Sequence, residues 1–248
     1  MRDITVAHES IAHHALQRLE IQANFSWKDV ILLNYDSYRT SMRSDLLIGL
    51  EPSGDWQLAT IHRSNSKPSA LVPFDKAVSL KRPTGWVHFF IHDSRFSRLL
   101  RDPWRYLPIL ARFDGVISPD CSVFWGYPLY RQLESIGQSR EIGSWLQRNG
   151  IPVIPCVRWG KENTYGFAFD GIEPGGTIAV GTAGAMREKE SRAVFEAGFE
   201  TMLDALSPKR IVVYGSRRSP VFVSAEECGV EIMQFDTDTA KAYAKRAE

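Results

Sequence analysis

The feature that most constrains this chain is a pattern repeated over residues 86–216: short apolar runs end in small or polar residues and lead into amphipathic stretches. Runs of this kind suit buried strands and the stretches between them suit helices, so the pattern predicts repeated βα units. The expected fold class is α/β, with a mainly parallel sheet or a barrel-like domain and a less regular N-terminal region. In such folds ligands bind outside the carboxyl ends of the strands, which directs attention to the residues just past each apolar run.

Read in order, WVHFFIHD is the first strand, with Asp93 placed to cap the next helix over residues 94–100. Asp102 before Pro103 predicts a second helix start, with Trp104, Leu107, Leu110 and Ala111 facing inward and Pro108 shortening the helix. GVISPD is the next strand. Pro128 then opens a helical region in which Leu129, Leu133 and Ile136, followed by Ile142, Trp145 and Leu146, form an apolar stripe. IPVIPCVRWG is a strand made irregular by its two prolines, each of which removes a ladder donor. YGFAFDGI fits a strand by alternation and a short crossover helix by position. GTIAVGT and RIVVYGS are strands on either side of a helix over residues 187–206, stopped by Ser207 and Pro208.

Residues 1–85 carry a weaker pattern and are assigned to an N-terminal region packed on or leading into the α/β domain of residues 86–248. Within it, residues 10–21 suit a helix with Ile11, Ala15, Leu16 and Leu19 on one face, and residues 30–33 suit a short buried segment. Residues 51–83 collect Gly54, Pro68, Pro73 and Pro83, which predicts an irregular connection interrupted by a strand near residues 57–62. A chain of 248 residues that is 44% hydrophobic can bury a sizeable core as one unit. Its 30 basic and 29 acidic residues leave a formal charge of +1, against wholesale coating of nucleic acid. Cys121, Cys156 and Cys228 are too few and too scattered for a disulfide framework. With no signal-peptide pattern at the amino terminus and no apolar run near the roughly 20 residues that span a bilayer, the expected setting is the cytoplasm, without membrane contact.

The segments LVPFDKA, WVHFFIHDSRF, RYLPILARFDGVISPDCSVF, YPLYRQL, WLQRNGIPVIPCVRWG, FDGIEPGGTIAVGTAG and RIVVYGS, taken in this order, resemble an uncharacterised bacterial and phage family, domain of unknown function 4417. The resemblance covers residues 71–216. It implies a setting in prokaryotic chromosomes, phages or mobile elements and carries no established activity.

The candidate site residues follow from the strand ends. Asp93 and Asp120 end successive strands, where paired carboxylates can serve as acid, base or nucleophile; a helix cap and an Asx-turn are the structural alternatives. Arg158 and Trp159 end a third strand, where a guanidinium fork can hold an anion and an indole can stack. Their alternative is an internal ion pair, with Asp120 as a partner, beside a packed aromatic. Thr182 and Gly184 lie between a strand and the strongest helix, in a turn suited to a phosphate although it matches no phosphate-loop motif. His88 and His92 share strand parity and would support the carboxylates from one face. His8, His13 and His14 lack the spacing of a helical ligand pair, no metal site is expected, and the cofactor is left open.

The leading expectation is an α/β enzyme or ligand-binding protein acting on a phosphorylated sugar or nucleotide, a small anionic ligand, at the strand ends. The alternative is a noncatalytic accessory protein of a phage or mobile element that binds nucleic acid or protein, using Lys209, Arg210, Arg217 and Arg218 as its basic contacts.

Overall fold

The computed structural model describes residues 44–247, with side chains over residues 45–244. The expected helix at residues 10–21, the segment at 30–33 and His8, His13 and His14 lie outside the described residues. The chain divides into two compact units, Met1–Ile48 and Gly49–Glu248. In the first, the described element is the helical turn α1 (Ser44–Leu47).

The second unit opens with a small antiparallel pair, β1 (Pro52–Ser53) and β2 (Leu58–Ala59), and then builds parallel structure. Strands β3 (Leu71–Pro73), β4 (Trp86–His88), β5 (Gly115–Ile117) and β6 (Val153–Ile154) form one parallel sheet in sequential order. Strands β7 (Thr177–Gly181), β8 (Arg210–Tyr214) and β9 (Glu231–Phe235) form a second. A parallel bridge between Cys156 and Ala179 joins them: Val157 N–H donates to the Ala179 carbonyl at 2.8 Å and Ala179 N–H to the Pro155 carbonyl at 2.9 Å. Pro155 lacks a donor but still accepts, which is why the expected long third strand shrinks to Val153–Ile154 plus this bridge.

The joined sheet curls. β4 and β8 stand four places apart in strand order, about 19 Å if the sheet were flat. Yet the rings of His88 and Tyr214, on those two strands, lie 4.5 Å apart. Leu71, Trp86, Ile117, Ile154, Ala179 and Val212, drawn from β3 through β8, pack in one inner cluster with Tyr214. Gly115 makes room for the Trp86 indole, which a Cβ would meet at 2.5 Å. The turns after β3 and β9 are themselves joined by an ion pair between Lys76 and Asp238. Side chains alternate along each strand, so the curled sheet has an inner and an outer face. On β7 and β8, Ala179 and Val212 face the inner cluster, while Ile178, Val180, Ile211 and Val213 face an outer one built with Phe195, Phe199 and Phe222.

The helices of this unit are α2 (Phe74–Ala77), α3 (Ser97–Arg101), α4 (Pro103–Leu110), α5 (Leu129–Arg148), α6 (Tyr165–Ala168), α7 (Lys189–Leu206), α8 (Pro220–Glu227) and α9 (Asp238–Ala247), of which α5, α6, α7 and α8 contribute to the outer cluster. Asp102 caps α4, accepting from Arg105 N–H at 3.3 Å, and α4 contains Pro108 and ends at Leu110. YGFAFDGI contributes the short helix α6. Of the apolar stripe expected on α5, Ile136, Ile142, Trp145 and Leu146 are buried and Leu133 partly so, while Leu129 is exposed; Gln132, Ser139, Arg140 and Ser144 are buried as well. Arg140 explains this. Its Nε donates to the Asp170 carbonyl at 2.9 Å, Nη1 to Cys156 at 3.0 Å and Nη2 to Ala168 at 2.8 Å. Burial lowers its pKa to about 10, so the guanidinium remains charged at neutral pH.

Replacing Arg140 with Met keeps an unbranched chain but leaves three carbonyls without their donor. Urea unfolding of Arg140→Met is expected to show a loss of at least about 3 kcal/mol, since each unsatisfied buried group costs about 1–3 kcal/mol. A loss below about 1 kcal/mol would remove Arg140 from its structural role.

Candidate functional site

At the carboxyl ends of the strands, the residues past β4, β5 and β6 form a connected set. Asp120 lies beyond β5 and Arg158 beyond the bridge that extends β6. The two meet fork to fork: Arg158 Nε bonds Asp120 Oδ1, and Nη2 donates to Oδ2 at 2.6 Å. Cys156 Sγ adds a contact to Oδ1 at 3.3 Å. The Asp120 side chain is 6% exposed and that of Arg158 32%. Burial alone would lower the Arg158 pKa, but the facing Asp120 carboxylate outweighs it and raises the value. Arg158 Nη1 bonds none of the described residues. Beside the fork, Gly181 has no side chain; a Cβ there would come within 2.8 Å of the Phe90 ring and 3.5 Å of Arg158 Nη2.

Asp93 stands in the first turn of a 3-10 helix, Asp93–Arg95, whose cap is His92 rather than Asp93 as expected. Its carboxylate accepts from Ser122 N–H at 3.1 Å and from the Ser122 hydroxyl at 2.8 Å, tying the turn after β4 to the loop after β5. The charges of both Asp93 and Asp120 reach Arg158 and the Cys121 thiol, so the two carboxylates share one rim. Burial, reinforced by Asp93 and Asp120, raises the Cys121 pKa, and burial does the same for Cys156; both thiols therefore stay protonated.

His88 ends β4 and is 1% exposed. Its ring packs against both Phe90 and Tyr214, at centroid distances of 5.6 and 4.5 Å, while those two stack on each other at 5.1 Å, and its Nδ1 accepts from Phe90 N–H at 3.2 Å. Burial lowers its pKa to about 4, against the opposing pull of Asp238 and Asp120. His92 does not share its face. β4 stops at His88, and the exposed His92 ring turns to Ser94, contacting its hydroxyl at 2.9 Å and accepting from its N–H at 3.3 Å.

Other expected residues are placed elsewhere. Trp159 is buried in the outer cluster, its indole N–H donating to the Val194 carbonyl at 3.3 Å and its ring packed on Phe195, Phe199 and Phe169. A Cβ on Gly198 would strike this indole at 2.3 Å, so α7 covers the ring that was expected to stack on a ligand. Thr182 is buried beside Gly181, with its hydroxyl 3.4 Å from the Tyr214 carbonyl. Gly184 is exposed, and α7 begins only at Lys189, so the turn does not lead directly into a helix N-terminus. Lys209 and Arg210 precede β8 or open it, whereas Arg217 and Arg218 follow it, about 16 Å away along a strand of this length. Arg210 is buried and forks onto Glu231 at 2.8 and 2.9 Å; Arg217 bonds Glu226 at 2.6 Å. The four cations do not form one patch. Arg217 and Arg218 instead line a cleft of about 380 Å³ with Phe222, Val223 and Glu226.

Four residues of the rim escaped the sequence reading: Asp75, Lys76, Tyr214 and Asp238. Asp75 accepts from Arg95 Nη1 at 3.2 Å, Lys76 pairs with Asp238, and the Tyr214 hydroxyl accepts from Asp238 N–H at 3.1 Å. Their signal was the one used elsewhere, polar residues directly after an apolar run, in LVPFDK, VVYG and QFDTD. Among the described residues, no group of three or more His, Cys, Asp or Glu is arranged to hold a metal ion.

Two outcomes follow from this geometry. Removing either partner of the Asp120–Arg158 pair strands a desolvated charge, so Asp120→Ala is expected to cost about 2 kcal/mol, below the range of a fully buried pair because Arg158 is partly exposed; chemical denaturation measures it. His88 is neutral when folded but takes up a proton near pH 6.5 when unfolded. Stability is therefore retained above pH 6.5 and lost as the pH falls toward 4, by about 2.5 kcal/mol at pH 4.5 from this group. Comparing urea midpoints at pH 7 and 4.5, His88→Phe should show that much less acid sensitivity than the wild type; equal sensitivity would mean the ring is not buried neutral.

The comparisons with known proteins agree with the phage-associated character of these sequences. The chain is 34% identical over 134 residues to the "Gene 1 protein" of Mycobacterium phage D29, covering 54% of this chain and 50% of that protein. It is 33% identical over 134 residues to the "Gene 1 protein" of Mycobacterium phage L5, covering 54% of this chain and 58% of that protein. The chain thus matches little more than half the length of these curated relatives. No solved structure matches it. The model of a domain of unknown function, DUF4417, matches residues 50–236, from the small antiparallel pair through the last strand and its acidic turn, and the chain belongs to that family.

Proposed function

We propose that this chain binds a small anionic ligand, of the phosphorylated sugar or nucleotide class, at the rim formed by the carboxyl ends of its parallel strands, and acts on it there. One observation carries the reading: Asp120 fixes the Arg158 fork through Nε and Nη2, leaving Nη1 unbonded among the described residues and about a third of the side chain exposed. A guanidinium held in this way presents a donor to a phosphate oxygen with little rotamer entropy left to lose. Asp120 is the residue that positions it. Asp93, partly exposed and bonded to Ser122, is the carboxylate left for proton transfer. The free cysteines Cys121, Cys156 and Cys228 fit a reducing cytoplasm, and no helix among the described residues is long and apolar enough to cross a membrane.

A second reading, a noncatalytic accessory protein that binds nucleic acid or another protein, draws on a different feature. Phe124, Trp125, Tyr127, Leu129 and Tyr130 are exposed within seven consecutive positions after β5, and Lys161 lies 4.2 Å over the Trp125 ring. Such clusters mark contact surfaces more often than solvent-facing loops. Its cations, however, are engaged by acids: Lys161 by Glu190 and Arg131 by Glu134.

Thermal-shift titration separates the two. Ribose 5-phosphate or AMP should raise the melting temperature saturably, by about 5–10 °C at a hundredfold excess over Kd. Arg158→Lys should weaken that binding at least about tenfold while retaining a cation for Asp120. Stabilisation by short single-stranded DNA alone would favour the second reading, and no response to either phosphate compound would sink the first.

A further inference from the structure

His88 carries a donor with nothing to donate to. Because Phe90 N–H donates to Nδ1, that nitrogen is unprotonated, and a neutral ring must hold its hydrogen on Nε2. Nε2 is buried without a hydrogen-bond partner. Leaving a buried N–H unmatched lowers stability, and packed against two aromatic rings a phenylalanine would fill the same space without that cost. A second orphan lies on the neighbouring turn: Asp75 Oδ1 is buried without a partner, although Oδ2 is bonded to Arg95. Pro73 is the register partner of His88 on the adjacent strand, and Asp75 follows two residues later. Adjacent strands are about 4.8 Å apart and two residues reach at most about 7 Å, so the unmatched donor and acceptor belong to the same corner of the rim.

The charges around this corner select what can fill it. Asp238, Asp120 and Asp75 act on the His88 ring, opposed there by Lys241. Lys76, Arg158 and Arg95 already pair with those three carboxylates, so the corner offers no free charge to an ionic group and its unmatched atoms call for a neutral hydrogen-bonding one. A hydroxyl group matches both orphans, since it accepts one hydrogen bond and donates another. We infer that His88 and Asp75 bind a sugar hydroxyl of the ligand, His88 donating through Nε2 and Asp75 accepting through Oδ1, while the phosphate lies at Arg158. This rests on the strand-end ligand site proposed above and orients the ligand within it: polyol end against β3 and β4, phosphate end against β6 and β7.

The test compares ribose 5-phosphate with inorganic phosphate by calorimetric titration at matched ionic strength. Wild-type protein should bind ribose 5-phosphate at least about tenfold more tightly, the preference expected when a buried donor is matched by only one of the two. His88→Phe should abolish the preference, leave the affinity for inorganic phosphate within about twofold, and melt at the same temperature or higher. His88→Gln, whose amide N–H reaches close to the position of Nε2, should recover part of it. Asp75→Asn, on a partly exposed turn, should reduce it independently and serves if the His88 variants do not fold. Preference retained in the variants, or both probes bound equally by the wild type, overturns the hydroxyl assignment while the anion site stands. Binding of neither probe by the wild type overturns both.

Discussion

The guanidinium of Arg140 holds together the part of the structure on which the rim depends. It comes from the middle of α5 and binds three carbonyls, at Cys156, Ala168 and Asp170. Cys156 is the bridge residue joining the two sheets, and Arg158, the cation of the rim, follows two positions later. Ala168 ends α6, and Asp170 precedes Gly171, whose positive φ of 71° turns the chain back toward Ala59. A Cβ at Gly171 would lie 2.5 Å from the Ala59 carbonyl and 3.2 Å from Arg140 Cδ, so the turn and the arginine occupy mutually fitted space. A hydrophobic residue on α5 could fill that volume but could not satisfy irregular backbone from three segments. Where proline has removed regular ladder bonds from β6, side chains take over: Arg140 donates to the Cys156 carbonyl, and the Ser118 hydroxyl accepts from Cys156 N–H at 2.8 Å while contacting Ser139 on α5.

This trade also explains why some of the fold was legible in the sequence and some was not. Residues such as Ile178, Val180, Ile211 and Val213 are dictated by burial on both faces of a parallel sheet, and their runs announced β7 and β8 directly. β3 was hidden because Leu71–Pro73 is short and ends in proline, a combination that reads as irregular connection. β9 was hidden because Glu231–Phe235 is only partly buried and mixes Glu and Gln with its apolar residues. The apolar part of the inward face of α5, from Ile136 through Leu146, is legible as a stripe, but its polar part, Gln132, Ser139, Arg140 and Ser144, is not, because polar groups satisfying backbone carry no hydrophobic periodicity.

The site divides along the same line. That polar residues follow each strand is a local property, and it led to Asp93, Asp120, Arg158 and His88. Which of them meet is a property of strand order and curl. Asp120 and Arg158 pair because β5 and β6 are neighbours, and Lys76 reaches Asp238 because the sheet bends far enough to bring the turns after its first and last parallel strands together. Trp159 was misread for a related reason. One position beyond Arg158, alternation sends the side chain outward, under α7, so adjacent residues with the same chemical appeal serve opposite faces of the sheet.

What distinguishes the rim from an ordinary set of surface ion pairs is how completely its groups restrain one another. Asp120 is committed to Arg158, Asp93 to Ser122, Asp238 to Lys76, and one oxygen of Asp75 to Arg95. Each link joins residues after different strands or turns, so the rim is fixed by the sheet rather than by flexible loops. Restraint of this kind spends donors and acceptors, and the few left over become informative. Arg158 Nη1, His88 Nε2 and Asp75 Oδ1 remain unbonded among the described residues, the last two of them buried, in a site where nearly every neighbouring polar group is already bonded. A rim that served only to hold the sheet together would match these groups or replace them with apolar ones, because an unmatched buried donor or acceptor lowers stability without strengthening the sheet. Their presence on one rim points outward from the fold to recognition.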